Sequence, residues 1–478
     1  MSNLNFDCLV RIFENLEGDY RSLYSCAVVN KLWCQCAIPE LWKNPWQIES
    51  YVLCAILKIY LSKFPRKSKE LLLKNDLKIF NVHDSPTFNY ISFLRILKIS
   101  CLEKSIQLLL KRERISADHL PLLLREFVKE IFTKSRCIYV LHVNSTYQAS
   151  EILIHAMETI PEAKTCLSTV SDFKCAKSGS GGERLYPILS TILHNIKRLY
   201  IENAKITKDL AMLINSQRKL QIINIKQYHE RKPNSDENQV CSLHVKNSSS
   251  VTQLEYEAYC FSMQLLPKFE NLKKLMVKFE GIEFTRDEYE PLFMTSFKKL
   301  EIFSWICSHK IYLDIFARFV LLNGQNLRHI TLRARNDGNS RLLLGSITIT
   351  CFNLQSYDGP IARDSVKEFS KLLETCKQLK SLRLYPTKLL IKTSSIDDLL
   401  DVITKISPTS LMELRLMDSW KMSLKPFEDF LKSREMIEKP IKFHYNPGIM
   451  NSHDFHQVCT KYQRKKILDF NMGGSYFD

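Results

Sequence analysis

Leu9, Ile12, Phe13 and Leu16 recur at i, i+3, i+4 and i+7, a spacing that puts four apolar side chains on one face of a helix. Val28, Val29 and Trp33 follow, then Leu41 and Trp42, so the first 46 residues read as a compact set of short helices. A segment this short buries too little surface to stand alone, and it is expected to borrow burial from a partner or from the rest of the chain. Further along, a different pattern takes over. Three apolar positions spaced as apolar-x-x-apolar-x-apolar recur as Ile196/Leu199/Ile201, Leu220/Ile223/Ile225, Val251/Leu254/Tyr256, Leu272/Leu275/Val277, Leu300/Phe303/Trp305, Leu327/Ile330/Leu332, Leu354/Tyr357/Gly359, Leu379/Leu382/Leu384 and Leu411/Leu414/Leu416. Only Gly359 among these positions is not apolar, and the copies start about 27 residues apart.

The last two apolar positions of each copy, with the residue between them, predict a short strand that points its apolar pair inward. Parallel strands need a crossover, so a helix is expected between copies. Ser365 is read as capping a helix whose inner face is Val366, Phe369, Leu372, Leu373 and Cys376. Ser394 or Ser395 is read as capping another through Ile396, Leu399, Leu400, Ile403 and Ile406, ended by Pro408. A third runs through Ile315, Phe316, Phe319 and Leu322, with Gly324 past its end. Fainter copies lie at Ile138/Leu141/Val143 and Ile467/Phe470/Met472.

Between the two patterns, residues 47–136 read as helical: Tyr51 to Leu61 is one helix, Phe93 to Leu97 with Ile106 to Leu110 a further pair, and Leu122 to Phe132 another. This stretch is expected to join the N-terminal helices to the repeats and to cap their open edge. Lys177 to Glu183 and Asn234 to Asn238 read as polar loops.

The first 46 residues resemble the F-box, and the repeats together with them are similar to the F-box/leucine-rich-repeat family. The departures are two. Asn5 stands after Leu4 where the family has Pro, and no Asn or Cys follows the last apolar residue by three positions, where Ala204, Tyr228, Tyr259, Arg335 and Ser419 are among the occupants. The resemblance implies an α/β fold: an F-box-like module over 1–46, a helical linker and cap over 47–136, and a leucine-rich-repeat-like solenoid over 137–478. With no polar ladder after the strands, an irregular arc is expected. The resemblance also implies a substrate receptor of an SCF-type ubiquitin ligase, non-catalytic itself. Leu4, Leu9, Ile12, Phe13, Leu16, Val28, Trp33 and Trp42 would meet a Skp-type adaptor and, through it, a cullin scaffold. The strand faces would hold a target protein.

Composition changes this picture little. Hydrophobic residues make up 45% and charged residues 25% of the 478-residue chain, ordinary for a globular protein. The net charge of +17 is uneven: −2 over residues 1–50, +9 over 51–136 and +10 over the remainder. No block is dense enough for a nucleic-acid tail, so nucleic acid is not the expected ligand. Neither an export signal nor a membrane span is visible, and the 15 cysteines are read as reduced, buried apolar residues of a cytoplasmic and/or nuclear protein.

No nucleophile, phosphate-loop or metalloprotease motif is present, and no catalytic residue is expected. His453, His456 and Cys459 are spaced for one helical face but lack a fourth ligand, so no metal or cofactor is expected. The outward strand residues run from Glu202, Glu255 and Glu257 early to Arg333, Arg383 and Arg415 late. That asymmetry makes Arg333, Arg383, Tyr385, Arg415 and Met417 the expected target contacts, facing an acidic patch or phosphate. A repeat scaffold or nucleic-acid-associated binder unconnected to ubiquitin is the alternative reading.

Overall fold

The structure, a computed structural model, describes every residue except 1–4, 49, 80–85, 144–146, 177–181, 203–206, 227–247, 259–262, 280–283, 337–339, 388–394, 407–408, 418–419, 438, 446–452 and 471–478. Leu4, Ala204, Tyr228, Tyr259, Ser394, Pro408, Ser419, Met472, the whole of the loop at 234–238 and residues 177–181 of the other loop therefore lie outside the described residues. Mixed α/β structure runs throughout, with strands and helices alternating. The chain divides into two units, one holding residues up to 221 and the other residues from 248 onward.

The first unit opens with α1 (Phe6–Glu14), α2 (Tyr20–Ala27) and α3 (Lys31–Trp42), then α4 (Ser50–Ser62) and α5 (Arg66–Lys74). A strand–helix repeat follows: β1 (Ile96–Lys98), α6 (Ile99–Arg112), α7 (Leu120–Lys134), β2 (Val140–Val143), α8 (Tyr147–Thr159), α9 (Pro161–Leu167), β3 (Asp172–Ala176), α10 (Gly182–Ile192), β4 (Arg198–Glu202) and α11 (Lys208–Asn215). β1 to β4 pair in chain order and in parallel, with Leu97, Leu141, Phe173 and Leu199 in one register row.

These strands hold two further copies beyond those recognised in the sequence. Leu94/Leu97/Ile99 and Val170/Phe173/Cys175 take the same positions as the recognised copies, and all six side chains are buried. The stretch Phe93 to Leu97, expected to be helical, instead holds a 3₁₀ turn and the start of β1. The repeat thus begins inside the segment read as linker.

β5 (Ile222–Lys226) lies where the units divide. The second unit contains β6 (Gln253–Ala258), β7 (Lys274–Phe279), α12 (Glu290–Met294), β8 (Ile302–Ile311), α13 (Leu313–Asn323), β9 (His329–Asn336), α14 (Arg341–Thr350), β10 (Ser356–Ile361) and α15 (Val366–Thr375). It continues through β11 (Ser381–Pro386), α16 (Asp397–Ile406), β12 (Glu413–Leu416), α17 (Leu424–Ser433), β13 (Ile441–Tyr445), α18 (His453–Arg464) and β14 (Leu468–Phe470). β6 to β14 pair in parallel and in chain order, stacking Leu254, Leu275, Phe303, Ile330, Tyr357, Leu382, Leu414, Phe443 and Phe470 in one row. A third such copy, Pro440/Phe443/Tyr445, supplies β13. No single strand–helix unit buries its apolar face; neighbours do it for each other.

The one non-apolar pattern position has a steric cause. Tyr357 and Gly359 point to the same side of β10, and a Cβ at Gly359 would sit 2.6 Å from the Tyr357 hydroxyl. The tyrosine ring fills the space of the missing side chain, and its hydroxyl donates to the Pro360 carbonyl at 2.9 Å. At Gly324 the reason is a neighbouring helix: a Cβ there would collide with the Thr350 side chain. Gly324 is thus needed for close approach, and its φ of −66 is not the left-handed cap expected from the sequence. Leu322, expected inside, is exposed on α13, whereas Ile315, Phe316 and Phe319 are buried.

One regular set of polar bonds between repeats runs before the strands. Asn195 donates to Ser168 O, Asn271 to Ser249 O, Asn326 to Lys298 O and Asn353 to Gln325 O, at 2.8–3.3 Å. Ser410 does the same for Lys377 O and Leu379 O. Each of these residues directly precedes the first apolar position of its copy. Two buried amides add deeper clamps. Gln217 accepts from Ile196 N and donates to Leu193 O and Leu213 O, and Asn323 accepts from Phe297 N and donates to Thr295 O and Phe319 O. Ser365 stands at the start of α15, but its hydroxyl pairs with Ser340 Oγ at 2.7 Å instead of capping the helix.

Candidate docking surfaces

The N-terminal module is built by its caps. Asn5 Oδ1 accepts from Cys8 N at 2.8 Å, Asp19 Oδ1 from Ser22 N at 3.1 Å and Asn30 Oδ1 from Trp33 N at 2.9 Å, so each of α1, α2 and α3 starts on a side-chain cap. Asn5 therefore fixes the start of α1 by a hydrogen bond where the F-box pattern uses a proline ring. The turn between α1 and α2 passes through Gly18 at φ +88, a conformation that favours glycine.

The three helices close around Leu9, Phe13, Leu23, Cys36 and Ala37, with Leu16, Trp33 and Leu41 packed against that core. Leu9 and Phe13 are each 1% exposed, so both of these expected adaptor contacts lie in the module's interior. Trp33 is half-buried and meets Phe13 edge-on at 5.5 Å between ring centroids. Leu16 is half-buried too. Trp42 turns inward, with its ring 4.0 Å from Tyr90 and 5.7 Å from Tyr60. Ile12 and Val28 stay outside, 45% and 69% exposed. Phe6, Tyr24 and Leu32, which the pattern does not include, are exposed beside them in sequence, as is Val29, which it includes but not as an adaptor contact. No single helical spacing links them, because Tyr24 is on α2, Val28 caps its end and Leu32 is on α3.

The module also ends the strand ladder. In β2, Tyr139 and Val140 N–H both donate to Arg95 O; Ser171 and Asp172 then donate to Tyr139 O, and Lys197 and Arg198 to Ser171 O. Arg95 and Ile96 make the same paired bonds, at 3.0 and 3.2 Å, to Lys43 O. Trp46 Nε1 donates to Ile96 O at 2.6 Å. Residues 43–46 thus occupy the edge of β1, a role expected of the 47–136 stretch.

A second surface is the side of the second unit's strands that alternates with the apolar row. Thr331, Asp358, Arg383, Arg415 and His444 share one register row across β9 to β13. Arg333 donates to Asp358 Oδ2 through Nε at 2.9 Å and Nη2 at 2.7 Å, and Arg383 Nη1 approaches the same oxygen at 3.4 Å. Arg415 Nε donates to Glu413 Oε1 at 2.6 Å, and Ser381 donates to Glu413 Oε2 at 2.7 Å.

Burial pushes the Asp358 carboxyl up to about 6, outweighing the pull of Arg333, and its Oδ1 is buried without a hydrogen-bond partner among the described residues. Burial also raises Glu413, but its bonds from Ser381 and Arg415 win and hold it below its ordinary value. His444 is held down by burial and then by Arg415.

The expected target contacts are thus not free cations: all three arginines are paired, Tyr385 is buried and Met417 is half-buried. The early acidic residues are paired as well, Glu202 with Lys174 at 2.9 Å, Glu255 with Lys274 at 2.5 Å and Glu257 with Lys278 at 2.5 Å.

Among the described residues no cluster of His, Cys, Asp or Glu is arranged for a metal ion, and no helix is long and apolar enough to cross a membrane. On α18, His456 is exposed while Cys459 is buried, so these two do not share a face. The chain matches no known protein-family profile, and no curated protein sequence matches it. Among solved structures it is similar to the crystal structure of the Rad7 and Elc1 complex in yeast, with a TM-score of 0.41 and 14% sequence identity over 88% of this chain and 95% of that chain.

Proposed function

We propose that this protein is a non-catalytic substrate receptor of an SCF-type ubiquitin ligase, acting in the cytoplasm and/or nucleus. Residues 1–46 serve as an F-box that docks a Skp-type adaptor, and the leucine-rich repeats present a target protein. One observation carries the reading: after closing its own core, the module leaves Phe6, Ile12, Tyr24, Val28, Val29 and Leu32 exposed. Six large exposed apolar side chains within one short stretch are what a docking module would present to a partner. Covering an exposed valine or isoleucine stabilises association by about 1.5–3 kcal/mol before the entropy of binding is subtracted. The receptor contributes proximity, raising the local concentration of target lysines at the transfer machinery.

The experiment is affinity capture of the full chain from cells, comparing wild type with Val28→Asp/Val29→Asp. Adaptor and cullin should be recovered with the wild type and lost with the variant. Deleting residues 1–46 is a poorer test, because Lys43 and Trp46 hold the edge of β1. Recovery of neither adaptor nor cullin with the wild type would contradict the reading.

A further inference from the structure

We propose that Arg333, Arg383 and Arg415 form a receptor for a single phosphomonoester group carried on a polypeptide segment. This deepens the target-binding half of the function proposed above, and rests on it only for the identity of the polypeptide.

The argument starts from donor counts. Each guanidinium has five N–H donors in a rigid fork. Arg333 uses Nε and Nη2, Arg383 uses Nη1 and Arg415 uses Nε. Their other N–H groups have no partner among the described residues. The three forks are also held in place. Arg333 and Arg383 converge on one oxygen of Asp358, and Arg415 is registered directly opposite Arg383 on the next strand. Neighbouring strands lie about 4.8 Å apart, so Arg383 and Arg415 leave the sheet side by side, with Arg333 one strand beyond Asp358. Side chains already pinned by Asp358 and Glu413 lose little further freedom on binding.

Three guanidiniums face two carboxylates, Asp358 and Glu413, so the cluster carries one excess positive charge before His444 is counted. An acidic side chain offers one planar fork and satisfies one arginine; a phosphomonoester offers three oxygens and satisfies several. Nucleic acid is disfavoured because Asp358 and Glu413 sit among the arginines, and Lys442 is flanked in its register row by Glu413 and Asp469, so the cations form no continuous track for a run of phosphates. A lipid bilayer is disfavoured because the arginines are recessed; the Arg383 side chain is only 17% exposed. Asp358 is 6% exposed, and all its contacts with Arg333 and Arg383 fall on one oxygen, so it orients both forks without occupying all of their donors.

Calorimetric titration of the full-length protein tests this without any adaptor. The probes are inorganic phosphate, N-acetyl-O-phosphoserine amide, the matching N-acetylglutamate amide, a short single-stranded RNA and vesicles containing a phosphoinositide. The two phosphate probes are expected to bind, with affinity falling about tenfold or more in Arg415→Gln and in Arg383→Gln. Asp358→Asn, which removes the competing carboxylate, is expected to keep or tighten binding. Folding of each variant is checked by its melting temperature, and Arg415→Gln carries the test if Arg383→Gln unfolds. No phosphate binding by the wild type, or equal binding by folded Arg415→Gln, overturns the proposal. So does tighter binding of the glutamate probe, the RNA or the vesicles. Phosphate binding in a protein that captures no adaptor would leave this site standing and remove the ligase reading.

Discussion

Arg95 donates its backbone N–H to the carbonyl of Lys43 across 3.0 Å, and through that bond the first strand of the repeat begins on the residue that follows α3. The Trp46 indole completes the arrangement from the other side of Ile96. The N-terminal helical module is therefore also the end-piece of the ladder. Trp46→Phe keeps the ring and removes the donor to Ile96 O. It is expected to cost about 1–2 kcal/mol and to raise amide hydrogen exchange across β1, while leaving exchange in β9 to β12 unchanged. Unaltered exchange at β1 would show that the edge is held by other means.

Asn5 tests the departure from the F-box pattern. Asn5→Ala removes the cap on Cys8 N and should lower stability by about 1 kcal/mol in urea denaturation. Asn5→Pro also loses the cap, but the native φ of −73 is already proline-like, so the stiffer chain offsets part of the loss. The proline variant is expected to be more stable than the alanine variant. The reverse order would mean that the cap alone sets the start of α1.

Two kinds of amide link the repeats, and they should differ in weight. Asn323 is buried and makes three bonds to backbone; Asn326 is exposed and makes one. Asn323→Ala leaves buried backbone groups unpaired and should cost about 2–4 kcal/mol, whereas Asn326→Ala should cost under about 1 kcal/mol. Thermal melts of the two variants decide it, and equal losses would show that the exposed ladder matters as much as the buried clamp.

Asp358 should leave a mark on the pH dependence of stability. Its folded carboxyl titrates at about 6 against an ordinary value of 3.8, so the folded state holds this proton more tightly than the unfolded chain does. Through this group the protein gains stability as pH falls from about 6 towards 3.8, and ionisation of Asp358 opposes folding above that window. Asp358→Asn should flatten the stability profile between those limits without lowering stability at neutral pH. A large loss at neutral pH would mean that the pairing with Arg333 and Arg383 outweighs the burial.

Much of this fold could be read from residue order. Every described side chain of the nine recognised copies is buried, because an apolar pair flanking one residue has only one stable placement in a parallel sheet. The three further copies are less legible for local reasons. At Ile96 to Ile99 strand passes directly into helix, so the period changes within a single copy; Val170/Phe173/Cys175 ends on Cys, and Pro440/Phe443/Tyr445 begins on Pro. The asparagine ladder lies before the strands, whereas the leucine-rich-repeat pattern places its polar residue after them. The candidate sites were less legible. The i, i+3, i+4, i+7 stripe of α1 is wider than the face its two partner helices cover, so Leu9 and Phe13 go inside while Ile12 stays out. Nor does alternation along β9 to β11 reveal that Arg333 and Arg383 would share one oxygen of Asp358, since that depends on register between repeats.

The most direct test is the affinity of the purified protein for a recombinant Skp-type adaptor, wild type against Val28→Asp/Val29→Asp with matched melting temperatures. Saturable binding by the wild type, weakened at least about tenfold by placing charge on those two exposed positions, is the expected result. No binding by the wild type, or equal binding by the two proteins, would contradict the assignment of this apolar surface to an adaptor.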